Sequence, residues 1–359
     1  MASSADRYRA TFADEVRDAV TLRAALLVFG VFAVTVAFVA SYTGAFHHPV
    51  PRDVSLGVVA PRQVRAETAA RLDRLPGSPV RTRELGSAAE AKQRIEQRSL
   101  DAALVVSPRG TTDRLLVASG AGASLSDAVE RVLARAEKAQ GRSVETVDVV
   151  PQSAGDARGL SSFYLVVGWC VGGYLCAAIL AISYGTRPAN LRRAVVRLGV
   201  LALYSVATGL GGAVVVGPVL GALPGAVVSL WGLGALIVFA VGAATFAFQA
   251  LAGIVGIGLT ILVVVVGGNP SAGGAYPYPL LPPFWRSVGP ALPPGAGTWS
   301  ARSVAYFGNH ALGGPLTVLA GWAAGGTVLT LVLTALHNRR TAAARSPDAG
   351  GSTARTSGG

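Results

Sequence analysis

The 359-residue sequence has no Asp or Glu between Asp156 and Asp348, a gap of 191 residues. Carriers driven by protons or sodium place acids or histidines inside their helices as relays and ion ligands. The apolar half of this chain offers only His310 and His337, both at the ends of apolar segments, so any transport must draw its energy from elsewhere. Lysine is almost absent: Lys92 and Lys138 are the only two. Without a lysine in a glycine-rich turn there is no GxxxxGK[ST] phosphate loop, and nucleotide hydrolysis would need a separate polypeptide. Two cysteines, Cys170 and Cys176, lie six residues apart and off a common helix face. They read as small buried residues rather than a redox or metal pair. His47 and His48 lack a third ligand, so no metal is expected. No Ser/His pair, paired carboxylates or HExxH lies in the apolar segments, so neither catalytic residues nor a cofactor is expected.

What the chain does contain is apolar length. Hydrophobic residues make up 51% and charged residues 14%, with a net charge of +12. Such basicity can mark a nucleic-acid binder, but here the charges are dispersed. Residues 1–23 carry four Arg and four acids, and residues 44–158 carry 17 basic and 14 acidic residues. No single basic groove follows from that, and no nucleic-acid partner is expected. A bilayer core about 30 Å thick takes roughly 20 helical residues, and 24–43, 163–184, 198–216 and 312–336 are each apolar enough. Residues 226–267 have only Ser229, Thr245, Gln249 and Thr260 as polar side chains. As one helix they would span about 63 Å, so they are expected to fold back near Phe248–Gln249 as spans 226–247 and 250–267. The expected fold is an α-helical polytopic membrane protein with six transmembrane helices and an extracytoplasmic α/β domain, residues 44–160.

Orientation follows from arginines in short loops. Arg187, Arg192, Arg193 and Arg197 lie between spans two and three, and Arg339, Arg340, Arg345 and Arg355 follow span six. Both termini are therefore expected in the cytoplasm of a multi-pass cell-membrane protein, with 338–359 a disordered cytoplasmic tail. Arginine outnumbers lysine 29 to 2, which points to a high-GC bacterial source. Ahead of span one, Tyr8, Phe12 and Val16 recur every four residues among charged neighbours. That is an amphipathic interfacial helix over 1–23, and its apolar face is a candidate coupling surface for a cytoplasmic ATPase.

Residues 44–160 alternate short apolar strands with amphipathic helices. The expected order is βαβαββαβ, with strands at 54–60, 80–85, 102–107, 114–119 and 144–150. Ser87 followed by Glu90 is a capping box opening the second helix. This insert reads as a binding or docking module. Residues 268–309 hold eight prolines and many aromatics, which suits an interfacial, re-entrant loop with short helices near 283–288 and 299–307. Asn269, Pro270, Pro283, Phe284, Trp285, Arg286, Pro293, Arg302, Tyr306 and Phe307 are its candidate outer-gate residues. GxxxG spacings at Gly168/Gly172, Gly217/Gly221/Gly225 and Gly321/Gly325 suit close helix approach.

Four segments, GNPSAGG at 268–274, LPPFWR at 281–286, LPPG at 292–295 and RSVAYFG at 302–308, resemble the YhgE/Pip-like (phage-infection-protein-like) branch of type-2 ABC-transporter permeases. The layout, one span, a large outer α/β domain and then five spans with a re-entrant loop before the last, is similar too. The resemblance implies a permease subunit, with a homodimer as its assembly, exporting a lipid, peptide or other amphiphile in a cell membrane with ATP hydrolysed by a separate subunit. Some relatives carry very long coiled insertions, and this insert is much shorter. The alternative is a non-transporting scaffold or receptor whose outer domain binds a partner.

Overall fold

The computed structural model describes residues 21–344 apart from Pro224 and Ala226. The expected N-terminal helix with Tyr8, Phe12 and Val16 lies outside the described residues. Among the described residues, five helices are long and apolar enough to cross a membrane: α1 (Leu22–Phe46), α5 (Ser161–Tyr184), α6 (Leu191–Val214, continued as a π-helix over Val215–Val219), α7 (Val227–Ala252) and α11 (Gly313–Ala344). This is the architecture of a multi-pass membrane protein. Between α1 and α5 sits the insert, with β1 (Val54–Val59), α2 (Arg62–Asp73), β2 (Val80–Leu85), α3 (Ala88–Glu96), β3 (Ala102–Val105), β4 (Thr112–Val117), α4 (Ala123–Lys138) and β5 (Ser143–Asp148). Between α7 and α11 lie α8 (Val255–Thr260, continued as a π-helix over Ile261–Gly268), α9 (Pro283–Val288) and α10 (Pro293–Tyr306).

Among the described residues, five of the six expected spans are long helices, and the fifth expected span, 250–267, is the shorter α8. The fold-back comes at Gly253, whose φ of 62° is open to glycine without a Cβ clash, and not at Gln249. Gln249 stays helical and buried, its amide donating to the Ala177 carbonyl of α5 at 3.4 Å. The return segment, Val255–Gly268, has 14 residues, about 21 Å of helix and too short for a bilayer core. Two boundaries also move. α6 begins at Leu191, so Arg192, Arg193 and Arg197 belong to its first turns, with Asn190 Oδ1 accepting from Arg193 N as the N-cap. α11 continues to Ala344, so the tail expected to be disordered from 338 starts as helix.

The insert is a five-stranded sheet in the order β2-β1-β3-β4-β5, antiparallel only between β3 and β4. The β3–β4 hairpin turns through Pro108–Gly110, and the parallel neighbours are joined by helices as parallel pairing requires. Ser87 caps α3 as its spacing predicts: its Oγ accepts from Glu90 N, while Glu90 Oε2 accepts from Gly86 N rather than from Ser87 N. On one face of the sheet, Val54, Leu56, Leu104 and Leu115 meet Leu72 of α2 and Leu125, Val129 and Leu133 of α4. On the other face, Leu85, Ala103 and Leu116 meet Ala91 and Ile95 of α3.

In the helical domain, close approach is made by glycines outside the expected spacings. A Cβ on Gly234 of α7 would lie 2.5 Å from the Trp169 ring and 2.9 Å from Gly209 Cα, so α5, α6 and α7 meet where the Trp169 ring and the Gly209 backbone fit only without that atom. Gly168, Gly321 and Gly325 have nothing within 4 Å of an added Cβ, and Gly172 only an ordinary to tight contact with Tyr204 and Thr208. α1 stands apart, joined through its C-terminal end: Ser41 Oγ donates to Val266 O, and Phe46 meets Tyr276 with ring centroids 5.5 Å apart.

The helix ends sort into two groups. The insert, the 217–225 turn and the 275–311 region share one end, joined by Ser153 Oγ to Ala222 O and Ser124 Oγ to Ala275 O. At the other end, Arg187 donates to Leu251 O and Gly253 lies beside Thr186.

Candidate functional site

The insert and the segment after α8 are built as one unit. Leu280 is buried in the first sheet layer, with Tyr276 against it. Phe307, at the end of α10, is buried in the second layer among Leu85, Ile95 and Leu116. Each layer of the sheet is thus completed from the far side of the chain, roughly 200 residues away in sequence.

Three arginines bind this seam. Arg98, just past the end of α3, adopts φ 58° and points its guanidinium at α10. Its Nη1 donates to Trp299 O at 2.8 Å and to Ser303 Oγ at 2.7 Å. The guanidinium carbon lies 3.5 Å from the Trp299 ring centroid and 4.8 Å from that of Phe307, a cation held by two aromatic faces. Arg302 of α10 is buried and clamps backbone carbonyls: Nη1 donates to Gly273 O at 2.6 Å, and Nη2 to Gly274 O at 2.7 Å and Gly159 O at 3.2 Å. These bonds hold the irregular 269–275 backbone and the approach to α5. Arg286 of α9 donates to Arg52 O at 3.0 Å and pairs with Asp53 at 3.4 Å, where the chain enters β1. One turn on from Arg302, Tyr306 donates to Asp156 at 2.6 Å, and Asp156 accepts from Ser161 N at the start of α5.

Between them lies a cavity of about 240 Å³, lined by Arg98, Asp101, Arg286 and Arg302 with Tyr278 and Trp299. Burial pushes the Arg98 guanidinium down to about 9, and the nearby charge of Arg302 pushes in the same direction. Arg302 is held down to about 10, chiefly by burial. Both remain cations at neutral pH. Asp101 is raised by burial, against the opposing hydrogen bond from Ser55 N and the attraction of Arg98. The Tyr278 hydroxyl is raised by burial, and Arg302 and Arg98 partly offset it. Among the described residues no group of three His, Cys, Asp or Glu side chains is placed to hold a metal.

The ten gate candidates divide into three places. Asn269, Pro270 and Pro293 are buried together inside the helical domain, where Gly268 abuts the Pro294 ring. Pro283 and Phe284 face outward on α9, and Trp285 is half-buried beside Gly44; Phe284 is 62% exposed, edge-on to Trp285. Arg286, Arg302, Tyr306 and Phe307 belong to the seam. The cavity also uses Arg98, Asp101, Tyr278 and Trp299. Of these, Tyr278 and Trp299 carry an interfacial aromatic signal in the sequence, whereas Arg98 and Asp101 look like ordinary surface charges of the insert.

No protein-family model matches the chain, and it is similar to no curated protein and no solved structure.

Proposed function

We propose that the chain is the membrane permease subunit of an ABC-type export system, moving an amphiphile, lipid or peptide with ATP hydrolysed by a separate subunit. The observation that carries this is the break after Gly268. There an apolar helix stops part-way through the helical domain, and the backbone runs irregularly through Asn269–Gly274 before α10 begins. The first turns of α10 reach deep among the helices: a Cβ on Gly297 would touch Val166 of α5 and Ile237, the eleventh residue of α7. Irregular backbone at membrane depth occurs where it is buried in protein or lines a cavity, and broken helices mark the substrate path of transporters. A plain anchor needs no such break.

Three further features support the reading. Counting α8 with the irregular segment as one pass, the chain makes six passes. The insert end then carries Arg286 and Arg302 tied into the seam, while the opposite end carries Arg187, Arg192 and Arg193. By the arginine bias this opposite end, with both termini, is cytoplasmic and the insert is outside a bacterial cell membrane. The absence of acids from 157 to 347 leaves no coupling carboxylate in the helices. The motifs at 268–308 resemble those of YhgE/Pip-like permeases. Tyr8, Phe12 and Val16 are the proposed contact for the ATPase, and a homodimer is the proposed assembly.

Purification from native membranes in mild detergent, with mass spectrometry of what accompanies the chain, tests this. An ATPase recovered in stoichiometric amount is the expected result. Recovery of no ATPase, with unchanged export in Trp285→Ala, would overturn it in favour of a scaffold or receptor.

A further inference from the structure

We propose that the seam cavity is a phosphate-binding site, and that its occupant is the headgroup of a phosphate-bearing amphiphile whose apolar part lies in the adjoining groove of the helical domain. The proposal deepens the permease reading by naming a ligand class, but it concerns binding alone.

Two guanidinium groups, Arg98 and Arg302, line the cavity, Arg98 near enough to be lowered by the charge of Arg302, and neither forms an ion pair with a carboxylate among the described residues. The acids in the lining are engaged: Asp53 is paired to Arg286 and Arg81, and Asp101 accepts from Ser55 N. Like cations held together at partial burial are unfavourable unless an anion joins them. The cavity also holds donors without partners. Arg302, 97% buried, leaves its Nε–H unbonded, and the Tyr278 hydroxyl is buried and unbonded. Both hydrogen bonds of Arg98 come from Nη1, which leaves its other nitrogens for a ligand. Guanidinium forks and a phenolic O–H suit the oxygens of a phosphate, which accepts several charge-assisted bonds at once.

The second observation sets the source. Tyr278 and Trp299, stacked with ring centroids 6.1 Å apart and planes 16° from parallel, line this cavity on one side and an apolar groove on the other. The groove, about 610 Å³, runs between Ala296 of α10 and Gly313, Pro315 and Val318 at the start of α11. A cationic pocket and an apolar groove sharing one aromatic wall match the two halves of an amphiphile. Free phosphate would use only the first.

The test titrates detergent-purified, delipidated full-length chain with three probes: inorganic phosphate, short-chain phosphatidic acid, and the matching diacylglycerol, which lacks the phosphate. Saturable binding of phosphatidic acid is expected, with competition by inorganic phosphate at higher concentration and none detectable from diacylglycerol. Tyr278→Phe keeps the ring stack and removes one donor to a charged group, and should weaken phosphatidic acid about tenfold. Arg98→Gln should weaken it further. Binding of inorganic phosphate without the lipid, still weakened by Tyr278→Phe, would keep the phosphate site and overturn the amphiphile as its occupant. Binding of neither anion, diacylglycerol binding as tightly as phosphatidic acid, or affinities unmoved in a folded Tyr278→Phe protein would overturn the site itself.

Discussion

Single residues hold the two halves of the molecule together, Arg98 and Phe307 among them. Phe307 is 4% exposed in the second layer of the sheet. Phe307→Ala should destabilise the chain by about 3 kcal/mol, a buried aromatic's transfer loss plus a cavity, read as a lower thermal midpoint with faster proteolysis of the insert. Asp101 makes a signed prediction. Its folded pKa is raised above the unfolded value, so its contribution is fully favourable below the unfolded pKa and is lost as pH rises through the folded pKa. Asp101→Asn keeps an oxygen for Ser55 N and removes that loss. The variant should therefore melt higher than the parent at pH 7, with the gain shrinking as pH falls into the carboxylate range. An advantage that grows on acidification would contradict the assigned environment. Arg98 and Arg302, lowered to about 9 and about 10, stay protonated through the carboxylate range and add almost no slope there.

Elements show where sequence reading succeeds and where it stops. The strands and helices of the insert lie close to the bounds read from periodicity, because each buries one face and the alternation of apolar residues records it. Pro283–Val288 likewise forms the expected short helix, since two prolines suit a first turn. The end of α7 was not legible: Gln249 looks like a turn residue in an apolar run, yet its amide finds a carbonyl on α5. The seam was half legible, in the arginines and aromatics of 268–308. Arg98 gave no signal, because a cation after a helix usually faces water and its aromatic partners lie about 200 residues away. Glycine spacing misled too. Gly234→Ala, against Trp169 and Gly209, should separate α6 from α7 at a cost of about 1–3 kcal/mol, while Gly325→Ala, with open space around it, should be neutral in the same melting assay. Equal effects would show that helix approach is not set where the close contacts lie.

At the scale of the whole molecule, the insert is not a separate appendage on a flexible tether. Leu280 and Phe307 complete its layers, and Arg98, Arg286 and Arg302 tie it to the broken segment of the helical domain. Movement of the insert must therefore move α10, which reaches among α5, α7 and α11. This gives the insert a mechanical route to the centre of the helical domain. Reporter fusions should place residues near 100 and 290 on the outer side and residues near 190 on the cytoplasmic side. An outer signal at 190 would reverse the arrangement.

The central claim, that this chain is the membrane half of an ATP-driven exporter, is tested most directly by nucleotide turnover. The measurement is ATP hydrolysis by the partner purified with the chain in lipid nanodiscs, compared with the partner alone and with Phe307→Ala, which loosens the insert from α10. The account predicts turnover that depends on the chain and falls in the variant. Turnover identical in all three samples would contradict it.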